Sequence, residues 1–494
     1  MKCKKILCVA LVAVLCWFAL SAFGCAANPM KQAIRNGDNY TIVCAYDETA
    51  HALSAVQTVE ITNRSENSFS SVKFHIYANQ YRQDAANGVV PTTYKTIAYP
   101  NGESFGDITI DCVKVDGVAV AFSVEGEDMD ILSVPLAEEW FPDQTTTVEI
   151  TYTVQLANIK HRLGWTENAV NLGNFFPVLC HVENGSYACT PYYNIGDPFV
   201  SDVANFDVTL KIDEKYVVAS TGNLVEATSE NGFVTYVYHA DAVRDFAFVA
   251  SDKYKKLSQT VGNTTINYFY FADADAETSL ATAVGAFCYF SDKVGNYPYN
   301  QLSVCETDFC YGGMEYPSLV MVTSRSLSYQ EAVAHEVAHQ WFYATVGNNQ
   351  IENAWMDEGL AEFLTYLYMD NANVTPLEQN VMGNLKAYTT YVDVLNNYYQ
   401  HADTTFRSVA EFKNDNEYVV MTYIKGSLLF STLYETMGQT KFFKALGNYY
   451  KDAMFSLATP SQMVECFAKT GGTEIATIFN NFAEGKEILG KVTD

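Results

Sequence analysis

The chain has 494 residues, enough for two or three domains that each bury a core. Its 49% hydrophobic and 18% charged residues exclude wholesale disorder, collagen-like repeats and long coiled coils. Its 57 acidic against 30 basic residues give a formal charge of -27, which excludes a phosphate-tracking surface, so nucleic acid is not an expected partner.

The chain opens on the basic stretch Met1-Lys-Cys-Lys-Lys5 and an unbroken apolar run from Ile6 to Leu20, the layout of an export signal. Ser21-Ala-Phe-Gly-Cys25 resembles a bacterial lipoprotein box. It gives residues 1–25 as a signal, Cys25 as the lipidation site and the membrane-anchored cell surface as the destination. Cleavage and release, or an uncleaved helical anchor, remain open. Residues 26–39 are expected as a short tether.

From 40 to 256 the sequence reads as strands. Ser71–Tyr77, Thr146–Tyr152 and Asn205–Ile212 alternate apolar with polar residues and are rich in β-branched side chains. Asp116-Gly117 and Asn231-Gly232 are expected as hairpin turns. A β-rich first domain follows.

Residues 257–494 form the second domain, which the stretch Val261–Phe271 could open as a strand. From about Ala276 the period turns helical, with segments near 329–345, 356–371, 420–437, 440–453 and 460–470. Ser328 with Glu331, Thr375 with Glu378 and Thr459 with Gln462 have the spacing of capping boxes. Of the body cysteines, Cys180 with Cys189 and Cys305 with Cys310 are candidate pairs, and buried free thiols fit equally well.

The chemistry is concentrated in the second domain. His335-Glu-Val-Ala-His339 puts two imidazoles one turn apart on a helix face, where both can reach one metal ion. Glu358, at the start of a following helix, supplies a third and anionic ligand. Two His and one carboxylate leave the fourth direction of a tetrahedral zinc ion to water, the pattern of a catalytic site. Glu336 stands where a carboxylate can take a proton from that water. No phosphate-binding loop and no G-x-S-x-G elbow is present, which argues against a serine hydrolase.

These residues resemble the aminopeptidase N family of gluzincin zinc metallopeptidases: HExxH, eighteen intervening residues, then Glu358 in a WxxEGxA context. Tyr311-Gly-Gly-Met-Glu-Tyr-Pro317 is similar to the family's G-x-M-E-N motif, with Tyr316 in place of Asn. By that resemblance Glu315 binds the substrate α-amino group, and the backbone at Gly313 and Met314 pairs with the peptide. Tyr423-Ile-Lys-Gly426 is similar to the Y-x-K-G segment, which makes Tyr423 the oxyanion donor, with Tyr418 a second choice. The resemblance implies a saddle-like antiparallel β domain, with Trp140–Pro142 and Tyr193–Phe199 as its weaker marks. A thermolysin-like, mainly helical catalytic domain follows, holding one zinc ion, in a short form without the large C-terminal helical domain. The implied activity is removal of N-terminal residues from peptides with a free N-terminus. An endopeptidase or dipeptidase with the same chemistry, and a non-catalytic surface peptide-binding protein, are the alternatives.

Overall fold

The computed structural model describes residues 28–324, 329–398 and 403–486. The leader with Cys25 and the Ser328 cap lie outside them.

In the first half, sequence alternation becomes burial alternation. Along Thr145–Gln155 the side chains of Val148, Ile150, Tyr152 and Val154 are fully buried between exposed or half-exposed neighbours. Burial of such side chains contributes about 1.5–3 kcal/mol each. Eight strands form one sheet in the order 223–230, 233–243, 204–213, 38–47, 52–62, 145–155, 107–115, 118–120. Its pairs are antiparallel except one: Asp38–Asp47 runs parallel to Ala204–Asp213. Two four-stranded sheets complete the β layers. Asp116-Gly117 and Asn231-Gly232 turn their hairpins with positive φ at all four residues, as two-residue primed turns require. The expected tether contains a helix, Pro29–Asn36, whose N–H groups at Met30 and Lys31 are capped by the Asn28 side chain.

The second half opens at Lys255 on a five-stranded sheet, ordered 255–261, 264–270, 301–307, 319–323, 313–314. The expected boundary at 256/257 therefore falls inside the first of these strands, which pairs along its whole length with Thr264–Tyr270. The short strand Gly313–Met314 forms one edge, opposite the edge strand 255–261. Helices follow at 276–293, 329–338, 358–371, 377–398, 425–437, 439–453 and 460–471. The last of these starts on the Thr459–Gln462 capping box. Helix Leu377–Tyr398 has its first N–H, at Leu377, accepted by the Asp370 carboxylate at 3.0 Å. A helix at Thr473–Ala483, after the Gly471-Gly472 break, was not expected from the sequence.

The halves are joined by buried polar clamps. The Arg244 guanidinium donates to three main-chain carbonyls: Tyr343 at 2.6 Å, Ser201 at 2.9 Å and Ser456 at 3.4 Å, the first and last of them in the other half. A Cβ on Gly347 would lie 2.3 Å from this guanidinium, so the glycine makes room for it. Lys160 pairs with Asp308 at 2.9 Å, and Asn168 donates to the same carboxylate.

Arg244→Met should leave buried carbonyls unsatisfied and cost about 3 kcal/mol of unfolding free energy. Denaturant unfolding measures this, and an unshifted midpoint would show that the clamp contributes nothing.

Candidate metal centre and active site

Helix Tyr329–Ala338 carries His335, and the turn that follows it presents His339, whose N–H donates to the His335 carbonyl at 3.3 Å. Helix Glu358–Asn371 begins on Glu358 itself, so the carboxylate lies at the positive end of that helix. The three donors converge: Glu358 Oε2 is 3.1 Å from His335 Nε2 and 3.1 Å from His339 Nε2, and the two nitrogens are 3.0 Å apart. Ligands of a tetrahedral zinc ion with bonds of about 2.0–2.1 Å stand roughly 3.3 Å from one another, so this donor set fits zinc. Burial opposes charge on Glu358, but the two imidazoles outweigh it and hold the carboxyl well below its usual range.

Each ligand is oriented from behind. His339 Nδ1 lies 3.0 Å from the Phe342 carbonyl, which fixes the tautomer that leaves Nε2 free for metal. Glu362 Oε2 is 3.1 Å from His335 Nδ1, within ion-pair range although out of line for a straight hydrogen bond. Tyr366 donates its hydroxyl to Glu362 and accepts from Asn384, which also donates to Ser427 Oγ at 2.8 Å. This chain ties the metal face to two further helices.

The glycines of the two downstream motifs meet each other. A Cβ on Gly359 would stand 2.8 Å from Gly426 Cα, and a Cβ on Gly426 would stand 3.0 Å from Gly359 Cα. Helices Glu358–Asn371 and Lys425–Met437 therefore cross backbone to backbone, which sets Glu358 and Tyr423 into one site. Lys425 between them is fully buried, its ammonium donating to the Asp403 carbonyl and carboxylate at 2.8 Å each. Just before it, Val420–Ile424 is a π turn, a widened stretch of helix often found at functional positions. Tyr423 sits in it and stacks on His335, with ring centroids 5.9 Å apart and planes 21° off parallel. Tyr418 packs edge-on against Tyr423, and its buried hydroxyl has no hydrogen-bond partner among the described residues.

A cavity of about 510 Å³ runs between the halves, with the metal ligands on its wall. Glu336 lies in it, buried, with Oε2 lacking a hydrogen-bond partner among the described residues. Its other oxygen lies over Gly313, where a Cβ would approach within 2.2 Å. Glu315 accepts from Gln350 Nε2 at 2.9 Å, and the same amide donates to Asp357 at 2.9 Å. Asp197, from the first half, is bonded to Arg162, and its carboxylate lies within 4.8 Å of those of Glu315 and Glu358. Burial pushes Glu315, Asp197 and Asp357 up to about 7, and Glu336 up to about 8.

The cavity thus gathers His335, Glu336, His339, Glu358, Glu315, Gly313 and Tyr423. It does not receive the Met314 side chain, because strand alternation turns that residue away from Gly313 and Glu315. Its sulfur lies, fully buried, 3.0 Å from Arg162 Nε. Tyr316 also points away. Its hydroxyl donates to Asn174 at 2.7 Å, and it packs so tightly on Gly173 that a Cβ there would lie 2.0 Å from the hydroxyl oxygen. The residue that departs from the motif thus serves the seam between the halves. Sequence reasoning did not single out Asp197, Gln350, Asp357 or Glu362. Asp197, Asp357 and Glu362 lay within stretches marked by resemblance and Gln350 did not, but nothing at any of the four positions signals a partner across the fold.

Two imidazoles, a carboxylate from the next helix and a free fourth direction define a zinc metallopeptidase domain. Residues 278–482 match the peptidase family M1 domain. Aminopeptidase M1-B of Oryza sativa subsp. japonica is 24% identical over 310 residues, covering 57% of this chain and 34% of that protein. Aminopeptidase N of Lactococcus lactis subsp. lactis is 24% identical over 304 residues, covering 56% and 35%. Leucine aminopeptidase 2-1 of Meyerozyma guilliermondii is 25% identical over 200 residues, covering 38% of this chain and 30% of that protein. The chain thus spans about a third of the length of these curated relatives. Among solved structures, the M1 zinc metallopeptidase from Deinococcus radiodurans superposes with a TM-score of 0.64 at 16% identity. It covers 92% of this chain and 95% of its own and shows the same fold.

Gly426→Ala should force the two crossing helices apart, costing about 1–3 kcal/mol and lowering zinc occupancy together with stability. Calorimetry and metal analysis on the same preparation check this, and a normal zinc content with a normal Tm would contradict the crossing as described.

Proposed function

We propose that the protein is an exported, surface-anchored zinc aminopeptidase that removes residues one at a time from peptides with a free N-terminus. The observation that carries this reading is the pair of buried carboxylates, Glu315 and Asp197, crowded beside the zinc ligands in one cavity. Arg162 is their cationic neighbour, and a substrate α-ammonium is the further charge such a pair calls for. The basic, apolar start of the chain and Cys25 support export and lipid anchoring.

Zinc bound by His335, His339 and Glu358 would polarise the scissile carbonyl and acidify the attacking water. The chain's own groups do the rest. Glu315 and Asp197 fix the ammonium, which sets the first peptide bond in register with the metal face. The edge strand at Gly313 offers backbone groups to an extended peptide. Glu336 Oε2, without a hydrogen-bond partner among the described residues, takes the proton from the water and hands it to the leaving amine. The Tyr423 hydroxyl donates to the oxyanion as its charge develops, so its contribution is made in the transition state.

Glu336→Gln should retain zinc and lose nearly all turnover of a mixed peptide pool followed by mass spectrometry. N-acetylated peptides should remain intact, and the active protein should produce ladders shortened singly from the N-terminus. Internal cuts would overturn the exopeptidase assignment, and near-native turnover by the variant would overturn the role of Glu336. Gly313→Ala, which crowds Glu336, should lower kcat by about tenfold or more with zinc content unchanged. Steady-state kinetics on a free-amine peptide decides this, and a full kcat would remove the contact from the mechanism.

A further inference from the structure

Away from the cavity, a small hairpin brings two cysteines face to face. Val182 pairs with Tyr187 and Glu183 with Ser186, around a turn with positive φ at Asn184 and Gly185. Asn67 pins that turn by donating to the Gly185 carbonyl at 2.9 Å. The Ala188 N–H donates to the His181 carbonyl at 2.8 Å, which extends the ladder in the same register. Carried one step further, that register sets Cys180 opposite Cys189, whose own N–H turns back to the Tyr187 carbonyl at 3.0 Å. Residues opposed across an antiparallel pair stand about 4.5–5.5 Å apart, within the span of a disulfide. On its other side the Cys180 N–H donates to the Lys73 carbonyl at 2.9 Å, so the residue is held in the sheet.

The two thiols differ in reach: Cys180 is buried and Cys189 exposed. They also touch. Hydrogen bonding from Cys180, helped by nearby Lys73, lowers Cys189 to about 7, while burial and the thiolate beside it push Cys180 up. This division suits an accessible attacking thiolate backed by a resolving thiol. In the other candidate pair, Cys305 with Cys310, burial raises the Cys305 thiol against the charge of Lys256.

We propose that Cys180 and Cys189 form a redox-active pair that closes a disulfide across this hairpin when a small-molecule or protein disulfide is available as oxidant. The Cys189 thiolate attacks the donor disulfide, forming a mixed disulfide and releasing one thiol. Cys180 then gives up its proton, its sulfur displaces the second thiol, and the Cys180–Cys189 bond closes. Two protein thiols are oxidised and one donor disulfide is reduced to two thiols. The staple would close the root of the segment that runs on through Tyr192 to Asp197 at the cavity, and its formation is independent of the peptidase reading.

The test equilibrates the full chain with graded mixtures of oxidised and reduced glutathione, then traps free thiols with N-ethylmaleimide in denaturant for mass spectrometry. The expected product is a peptide pair linked at Cys180 and Cys189, about 2 Da lighter than its reduced form, with the other described cysteines alkylated. The linked form should melt about 5 °C higher than the reduced one, and the difference should vanish in Cys189→Ser, which leaves buried Cys180 in place. Alkylation of both residues at every ratio would overturn the proposal, as would a glutathione adduct on Cys189 that never resolves.

Discussion

The site depends on one electrostatic constraint. Five carboxyl groups are buried close together, Asp197, Glu315, Glu336 and Glu358 on the wall of one cavity and Asp357 on the Gln350 amide beside it, and among the described residues Arg162 is the one guanidinium on that wall. Desolvating that many anions costs several kcal/mol apiece unless positive charge or protons compensate. Burial raises the pKa of four of them, while the two imidazoles against Glu358 lower its own. The protein thus holds together acids that a zinc ion and an ammonium group would relieve. The Gln350 amide, shared between Glu315 and Asp357, and the Asn348 donor to Asp357 at 3.0 Å keep the acids in place meanwhile.

Much of this was legible in the sequence because it is local. HExxH is a spacing within one helix, and its meaning survives whatever the rest of the chain does. The hairpin turns at Asp116-Gly117 and Asn231-Gly232 are likewise fixed by the φ preferences of two residues. What was not legible is relational. Nothing at Gln350 announces that its amide will bridge two acids from different elements. Nothing at Gly359 or Gly426 says that each is glycine on account of the other. The Met314 side chain could be placed only once strand register showed which face looks into the cavity. Tyr316 reads as an anomaly in its motif until Gly173 and Asn174, 142 residues upstream in the case of Asn174, come into contact with it.

The division of labour between the halves follows from the same relations. The helical half carries the metal ligands, while the β half reaches over the cavity with Arg162, Asp197 and the neighbouring loop. Such a composite wall needs a fixed seam, because a shift of an ångström at Asp197 would misplace any group it holds. Arg244, Lys160 and Tyr316 provide that seam with directional bonds rather than apolar area alone, which sets orientation as well as affinity.

The π turn at Val420–Ile424 has a consequence for how this chain can change. A π turn is equivalent to one residue inserted into an α-helix, so deleting a residue there would yield a more regular and intrinsically better helix. It would also rotate the preceding turn by about 100° relative to the one that follows, swinging Tyr418 out of phase with Lys425 and the glycine crossing. Local regularity and site geometry therefore oppose each other at this point. Drift toward the simpler helix is penalised through the alignment of the two tyrosines rather than through unfolding.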